Sequence, residues 1–132
     1  MRPINIVICE DETEVREGFR YLLELDPEIR VRGVYERAEL LLEKLESREV
    51  APEIILMDIV LPGMSGIEAT GKIKERFPGI DVLILTIFEE EEKIIEAIEK
   101  GASGYILKNT KPGDLVAQIK ELKAGGSPIS PH

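Results

Sequence analysis

The sequence has one cysteine, one histidine and few basic residues for its length of 132, and each scarcity removes a class of protein. A single thiol cannot close an internal disulfide. Cys9 sits inside the apolar run Ile6 to Cys9, so it reads as core filling rather than a reactive group. The lone His132 is terminal and a poor candidate for a phosphohistidine. Long apolar runs are missing too: Ile6 to Cys9 falls far short of the roughly 20 residues that span a bilayer. Met1-Arg2-Pro3 leads straight into structure without a secretory leader, so a cytoplasmic protein with no membrane association is expected. Basic residues number 17 against 26 acidic ones, and the net charge of −9 repels the phosphate backbone that a nucleic-acid binder must neutralise. Direct DNA or RNA binding by this segment is therefore not expected. Nothing repeats at solenoid length and no segment is low in complexity.

What is present is the composition of one soluble α/β domain, 43% hydrophobic and 33% charged. Short β-branched runs alternate with helix-period segments along the chain. Ile4 to Cys9 reads as a strand buried on both faces, followed by a helix with Val15, Phe19, Leu22 and Leu23 on its apolar side. Gly18 in that helix is unfavourable by about 1 kcal/mol relative to Ala and is expected to mark a close contact with another helix. Ile29 to Tyr35 alternates weakly as a second strand, Ala38 to Leu45 is a Leu-rich helix, and Ile54 to Met57 is a third strand. Ser65 and Glu68 have capping-box spacing, which starts a helix that runs to Phe77, before Pro78-Gly79. A strand over Asp81 to Thr86, a helix from about Glu90 to Lys100 closed by Gly101, a strand over Ser103 to Leu107 and a helix over Lys111 to Ala124 complete the pattern. Five strands each followed by a helix imply right-handed crossovers and a parallel sheet covered on both faces.

In open sheets of this kind ligands bind outside the carboxyl ends of the strands. Those ends carry Glu10-Asp11, Asp58, Thr86 and Lys108. Three carboxylates, a hydroxyl and an amine would meet at one edge. Taken alone, Asp11 can also be read as a helix N-cap, three residues before Glu14, and the acids Glu89 to Glu92 as a first helical turn favoured by the macrodipole.

The segments Ile8-Cys9-Glu10-Asp11, Leu56 to Gly66, Leu85-Thr86 and Gly104 to Lys108, all on predicted strand ends, resemble the response-regulator receiver family over nearly the whole chain. The resemblance implies a flavodoxin-like fold: a five-stranded parallel sheet of order 2-1-3-4-5 with helices on both faces. It implies that Asp58 is the phosphorylated aspartate and that Glu10, Asp11 and Asp58, with the Val60 carbonyl, hold Mg²⁺. Thr86 and Lys108 would contact the phosphoryl oxygens, and Thr86 and Tyr105 would form the switch. The phosphoryl donor would be a sensor histidine kinase, since the chain has no nucleotide-binding loop. Such a receiver promotes only its own phosphorylation and dephosphorylation and is otherwise no enzyme. Val15 to Arg20 and the closing Gly125 to Pro131 are similar to the first helix and exit linker of NarL/FixJ-type (LuxR-like) transcription regulators. That likeness implies a receiver over residues 1–124 and a linker over 125–132 toward a C-terminal DNA-binding domain, with a phosphorylation-dependent homodimer through the fourth helix and fifth strand. A stand-alone receiver in a phosphorelay is the alternative.

The chemistry suits the residues. Clustered carboxylates raise one another's pKa unless a cation offsets them, and Mg²⁺ prefers oxygen ligands and bridges phosphate. The metal and Lys108 would neutralise the incoming group so that Asp58 can attack. Three features depart from the family pattern. Glu10 stands where Asp is commoner, and its longer arm would reach the metal through water. Asn109 replaces the proline that often follows the lysine, leaving the Lys108-Asn109 peptide geometry open. Val60 and Phe88 are apolar where other receivers carry water-orienting side chains, and Ile87 narrows access, so slow hydrolysis of the phosphoprotein is expected. Val60 also argues against an aspartate-nucleophile phosphatase, which needs a second Asp at that position. Glu10-Asp11-Glu12 argues against a flavin carrier, whose first loop needs small residues to cradle phosphate.

Overall fold

A computed structural model describes residues 2–87 and 91–125. Phe88, Glu89, Glu90 and the closing stretch from Gly126 to His132 lie outside the described residues. The elements alternate strictly: β1 (Ile4–Cys9), α1 (Thr13–Glu24), β2 (Ile29–Tyr35), α2 (Ala38–Glu46), β3 (Ile54–Asp58), α3 (Gly66–Arg76), β4 (Asp81–Thr86), α4 (Glu91–Glu99), β5 (Gly104–Leu107) and α5 (Pro112–Lys123). The sheet is parallel throughout, in the order β2-β1-β3-β4-β5. It is the flavodoxin-like arrangement.

The period of two along each strand sorts the core into two layers. Val7, Cys9, Ile55, Met57, Val82 and Ile84 pack with residues of α2, α3 and α4 on one side. Ile6, Ile8, Leu56, Leu83, Leu85 and Ile106 pack with Phe19 and Leu23 of α1 and with Leu115 and Ile119 of α5 on the other. The central strands are apolar at nearly every position because both faces are covered. Cys9 is buried and free. Burial first, and then the charges of Asp58 and Glu10, push its thiol up to about 12, so it is inert at neutral pH.

The weak alternation of β2 has a structural cause. Ile6 pairs with Val31 but Val7 pairs with Gly33, so the ladder shifts by one residue at Arg32. Val31 and Val34, three residues apart, therefore face the same α1/α5 layer, while Tyr35 turns to the other. Strict alternation cannot describe a bulged edge strand.

Helix ends follow local chemistry. The Ser65 hydroxyl accepts from the Glu68 N–H at 3.1 Å, as the capping-box spacing requires. Gly101 and Gly125, just past α4 and α5, have φ of +115° and +96°, the left-handed conformation of a helix-terminating glycine. Among the described residues no peptide bond is cis, so Lys108-Asn109 is trans. No described helix is long and apolar enough to cross a membrane.

Gly18 corrects an expectation. It is exposed, and a Cβ added there meets nothing within 4 Å, so no neighbouring helix requires it. Its cost in the helix interior is uncompensated. Gly18→Ala should therefore stabilise the domain by about 0.5–1 kcal/mol and raise the melting temperature by roughly 2–4 °C; a drop in melting temperature would show that the position is constrained after all.

Candidate phospho-acceptor and cation site

Each predicted strand-end residue reaches the carboxyl edge of the sheet. Asp58 ends β3, Glu10 and Asp11 follow β1, Thr86 ends β4, and Lys108 follows β5. Because β1, β3, β4 and β5 are consecutive neighbours in the parallel sheet, the four ends fall side by side. They line a cleft of about 280 Å³ whose walls include Asp11, Asp58, Val60, Thr86, Ile87 and Lys108.

Lys108 is the hub. Its Nζ stands 2.6 Å from Glu10 Oε1 and 3.1 Å from Asp58 Oδ2, with a side chain only 11% exposed. The Lys108 N–H donates to the Thr86 carbonyl at 2.8 Å, which anchors its backbone to β4. Burial alone would lower the ammonium's pKa, but the ion pairs with Glu10 and Asp58 outweigh it and the pKa is raised. Lys108 stays protonated.

The carboxylates differ in environment. Glu10 is fully buried, its Oε2 accepting from the Glu12 N–H at 3.0 Å. No well-aligned hydrogen bond reaches its Oε1, although Lys108 meets that atom's charge at ion-pair distance. Asp58 is 5% exposed; its Oδ1 accepts from the Val60 N–H at 3.3 Å, and burial followed by repulsion from Glu10 raises its pKa to about 6 despite Lys108. Asp11 is exposed at the mouth. The N-cap of α1 is Glu12, which overturns the reading of Asp11 as that cap.

The donor set fits a hard cation. One oxygen each from Glu10, Asp11 and Asp58 lie within 4.8 Å of one another, all are carboxylate oxygens, and three negative charges face one lysine. Two of these carboxylates already share the single Lys108 ammonium, which leaves the cluster short of positive charge. A hard cation in this cleft would be held by these three residues.

Thr86 and Tyr105 share one face of the sheet. Tyr105 pairs in register with Ile84, and Thr86 lies two residues beyond Ile84 on the same strand. Tyr105 is half-buried against the α2/α3/α4 layer. Val60 is apolar and 67% exposed, and Ile87 is exposed as well.

Two supports of the site were not read from the sequence. A Cβ on Gly66 would lie 1.8 Å from the Asp58 carbonyl oxygen, so only glycine lets α3 start against the end of β3. The Glu39 carboxylate accepts from the Met64 N–H at 2.9 Å and pins the loop between β3 and α3 to α2. Pro62, Gly63 and Gly66 mark a tight loop in Leu61-Pro62-Gly63-Met64-Ser65-Gly66. Neither which glycine touches Asp58 nor which distant acid holds the loop has a local signature.

Fold and site together define an α/β domain with an acidic, cation-receptive cleft and a buried aspartate at the carboxyl edge of its sheet. Residues 6–120 match the response regulator receiver domain family, and the chain belongs to it. It is 38% identical over 129 residues to the transcriptional regulatory protein LnrK of Bacillus subtilis, covering 98% of this chain and 58% of that protein. It is 37% identical to the transcriptional regulatory protein DegU of Brevibacillus brevis, covering 97% and 53%. A solved two-component response regulator of the LuxR family from Aurantimonas sp. superposes with a TM-score of 0.85 at 35% identity, covering 95% of this chain and 88% of that one. The chain thus spans little more than half the length of the curated relatives named.

The pKa of Asp58 makes stability depend on pH. It is 3.8 in an ordinary carboxylate and about 6 here, so between these values the folded domain binds the proton more tightly than the unfolded chain. The cost of an ionised Asp58 is absent below about pH 4 and complete above about pH 6. In metal-free buffer Asp58→Asn should stabilise the domain by about 1–2 kcal/mol near neutral pH, after discounting for solvent screening, and lose that gain near pH 4. Urea denaturation of both proteins at the two pH values measures it; equal differences at both would contradict the burial account.

Proposed function

We propose that Asp58 accepts a phosphoryl group from the phosphohistidine of a sensor histidine kinase. The observation that carries this reading is a buried aspartate held between a lysine and two further carboxylates at the mouth of one cleft. A carboxylate oxygen of Asp58 attacks phosphorus as the bond to the donor's imidazole nitrogen breaks, and the imidazole, already protonated on its other ring nitrogen, leaves as the neutral base. Glu10, Asp11 and Asp58, with the Val60 carbonyl, would hold Mg²⁺, which would supply charge neutralisation for the transferring group. Lys108 is the chain's own cation within reach of the phosphoryl oxygens. It is held ready by Asp58 and Glu10. The Thr86 hydroxyl contacts the phosphoryl group once it has formed.

The output reading follows from position. Thr86 and Tyr105 lie on one face, so a hydroxyl drawn toward the phosphoryl group changes the space available to the Tyr105 ring. That alters the surface of α4 and β5, which serves as a phosphorylation-dependent homodimer contact. We infer that residues 1–124 are the receiver of a cytoplasmic transcription regulator and that 125–132 lead toward a DNA-binding domain. The relatives' names as transcriptional regulators and their greater length support this.

Treatment with acetyl phosphate and Mg²⁺ should add one phosphoryl group to the chain, detected by intact mass. Asp58→Asn, or excess chelator with the wild type, should abolish the addition; undiminished labelling of the variant sinks the assignment. The phosphoprotein, freed of donor, should decay slowly in Mg²⁺, because the exposed side chain of Val60 is apolar and cannot orient a water for attack. Fast decay in a time course at neutral pH would refute that expectation.

A further inference from the structure

We propose that Arg16 is a positioning residue for the cation site, holding the Glu10-Asp11 backbone so that both carboxylates face the cleft. The proposal rests on the functional reading above, in which those carboxylates hold Mg²⁺. Arg16 lies on the first turns of α1, yet its side chain is only 11% exposed. Its Nη1 donates to the Glu10 carbonyl at 2.9 Å and to the Asp11 carbonyl at 3.3 Å, and its Nη2 donates to Thr13 Oγ1 at 3.3 Å. Nε lies 3.8 Å from Glu17 Oε2. One amino group, Nη1, thus grips the two peptide units that carry the acidic pair, while Nη2 braces the guanidinium against Thr13.

The loop needs such a grip. Glu12, the N-cap of α1, is extended and makes no side-chain cap bond, so the usual device for fixing the chain at a helix start is absent here. Glu10 N–H is bonded to the Tyr35 carbonyl and Glu12 N–H to Glu10 Oε2, but the two carbonyls between them are held by Arg16. The orientation of these peptides sets the Cα–Cβ directions of both acids. Mg²⁺ tolerates little departure from octahedral geometry, so small rotations of its ligands matter.

What Arg16 bonds is informative. A guanidinium recruited to offset clustered carboxylates would pair with them. Among the described residues no ion pair joins Arg16 to Glu10 or Asp11; it takes their carbonyls instead and leaves the carboxylate oxygens available for a cation. Arg16 works through backbone.

Charge and positioning predict opposite signs, which makes the role testable. Removing a positive charge close to a cation site should, by Coulomb's law alone, tighten cation binding. Loss of positioning should weaken it. Calorimetric titration of the chain with Mg²⁺ is expected to show about a tenfold or greater loss of affinity for Arg16→Met, the effect typical of removing an outer-shell support. Arg20→Met, one turn on and ion-paired among the described residues with Glu17 and Glu24, should stay within about twofold of the wild type. With acetyl phosphate, the Mg²⁺ concentration for half-maximal labelling of Arg16→Met should rise by the same factor, while the rate at saturating Mg²⁺ returns to the wild-type value. Arg16→Lys keeps the charge but loses the rigid plane and the Nη2 brace to Thr13, and should fall between the two; it also serves if Arg16→Met melts below the assay temperature. Unchanged or tighter Mg²⁺ binding by folded Arg16→Met overturns the positioning role, as does a lowered plateau with unchanged affinity. If the wild type binds no Mg²⁺, or Asp11→Asn binds it as well as the wild type does, the reading of the site itself fails and the role of Arg16 falls with it.

Discussion

The carboxyl edge of the sheet is organised by one shortage: three carboxylates converge where, among the described residues, Lys108 alone forms ion pairs with them, Arg16 being engaged with backbone carbonyls. Glu10 and Asp58 each have an oxygen against its Nζ, and Glu10 is fully buried. Burying a carboxylate costs several kcal/mol unless it is paired and hydrogen-bonded. The raised pKa of Asp58 is the residue of that cost, since pairing has not erased it. A site in this condition gains from any added cation or from loss of a carboxylate's charge. A divalent cation held by the three carboxylates would supply the missing charge directly. The same frustration that weakens the fold makes the cleft receptive to a cation.

Such a cluster persists because its backbone is fixed from outside. Gly66 allows α3 to begin in contact with the Asp58 carbonyl, and the Gly66 N–H donates to Ile59 O at 2.9 Å. Thr70 Oγ1 donates back to the Gly66 carbonyl at 2.7 Å within α3. Glu39 holds the Met64 N–H, and that bond keeps its own carboxyl below the usual range. At the far edge of the sheet, Lys120 pairs with Asp26 and Glu28, and Lys123 with Glu53, securing α5 without touching the cleft. The charges are thereby divided. Pairs at the amino edge are satisfied, whereas those at the carboxyl edge are short of cations.

Much of this was legible in residue order. Apolar strands ending in Glu10-Asp11, Asp58, Thr86 and Lys108 placed the site, because parallel connections leave every strand's carboxyl end on one edge. Bounds differ from expectation by a residue or so at several helix ends, where capping is shared between neighbours. What was not legible depends on distance in sequence. The Lys108–Glu10 pair joins residues at opposite ends of the chain, and the bond from Glu39 to Met64 crosses from one β-α unit to the next. Gly18 was misread for a related reason. A helix-interior glycine has the same local signature whether it faces a neighbour or water, and only packing reveals that it faces water.

The division of the sheet into a charged centre and an apolar flank also explains how a local event can travel. Asp58 and the Glu10-Asp11 pair belong to the central strands β3 and β1, which are covered on both faces and have little freedom to move. Thr86 and Tyr105 belong to β4 and to the edge strand β5, and Tyr105 is only half-buried. A change in charge at the centre cannot be relieved by shifting β1 or β3 without opening both apolar layers. It can be relieved by rotating side chains on the flank, where the cost is a rotamer rather than a cavity. Under the proposed function, the rigid centre would direct the response outward, along the face shared by Thr86 and Tyr105 toward α4.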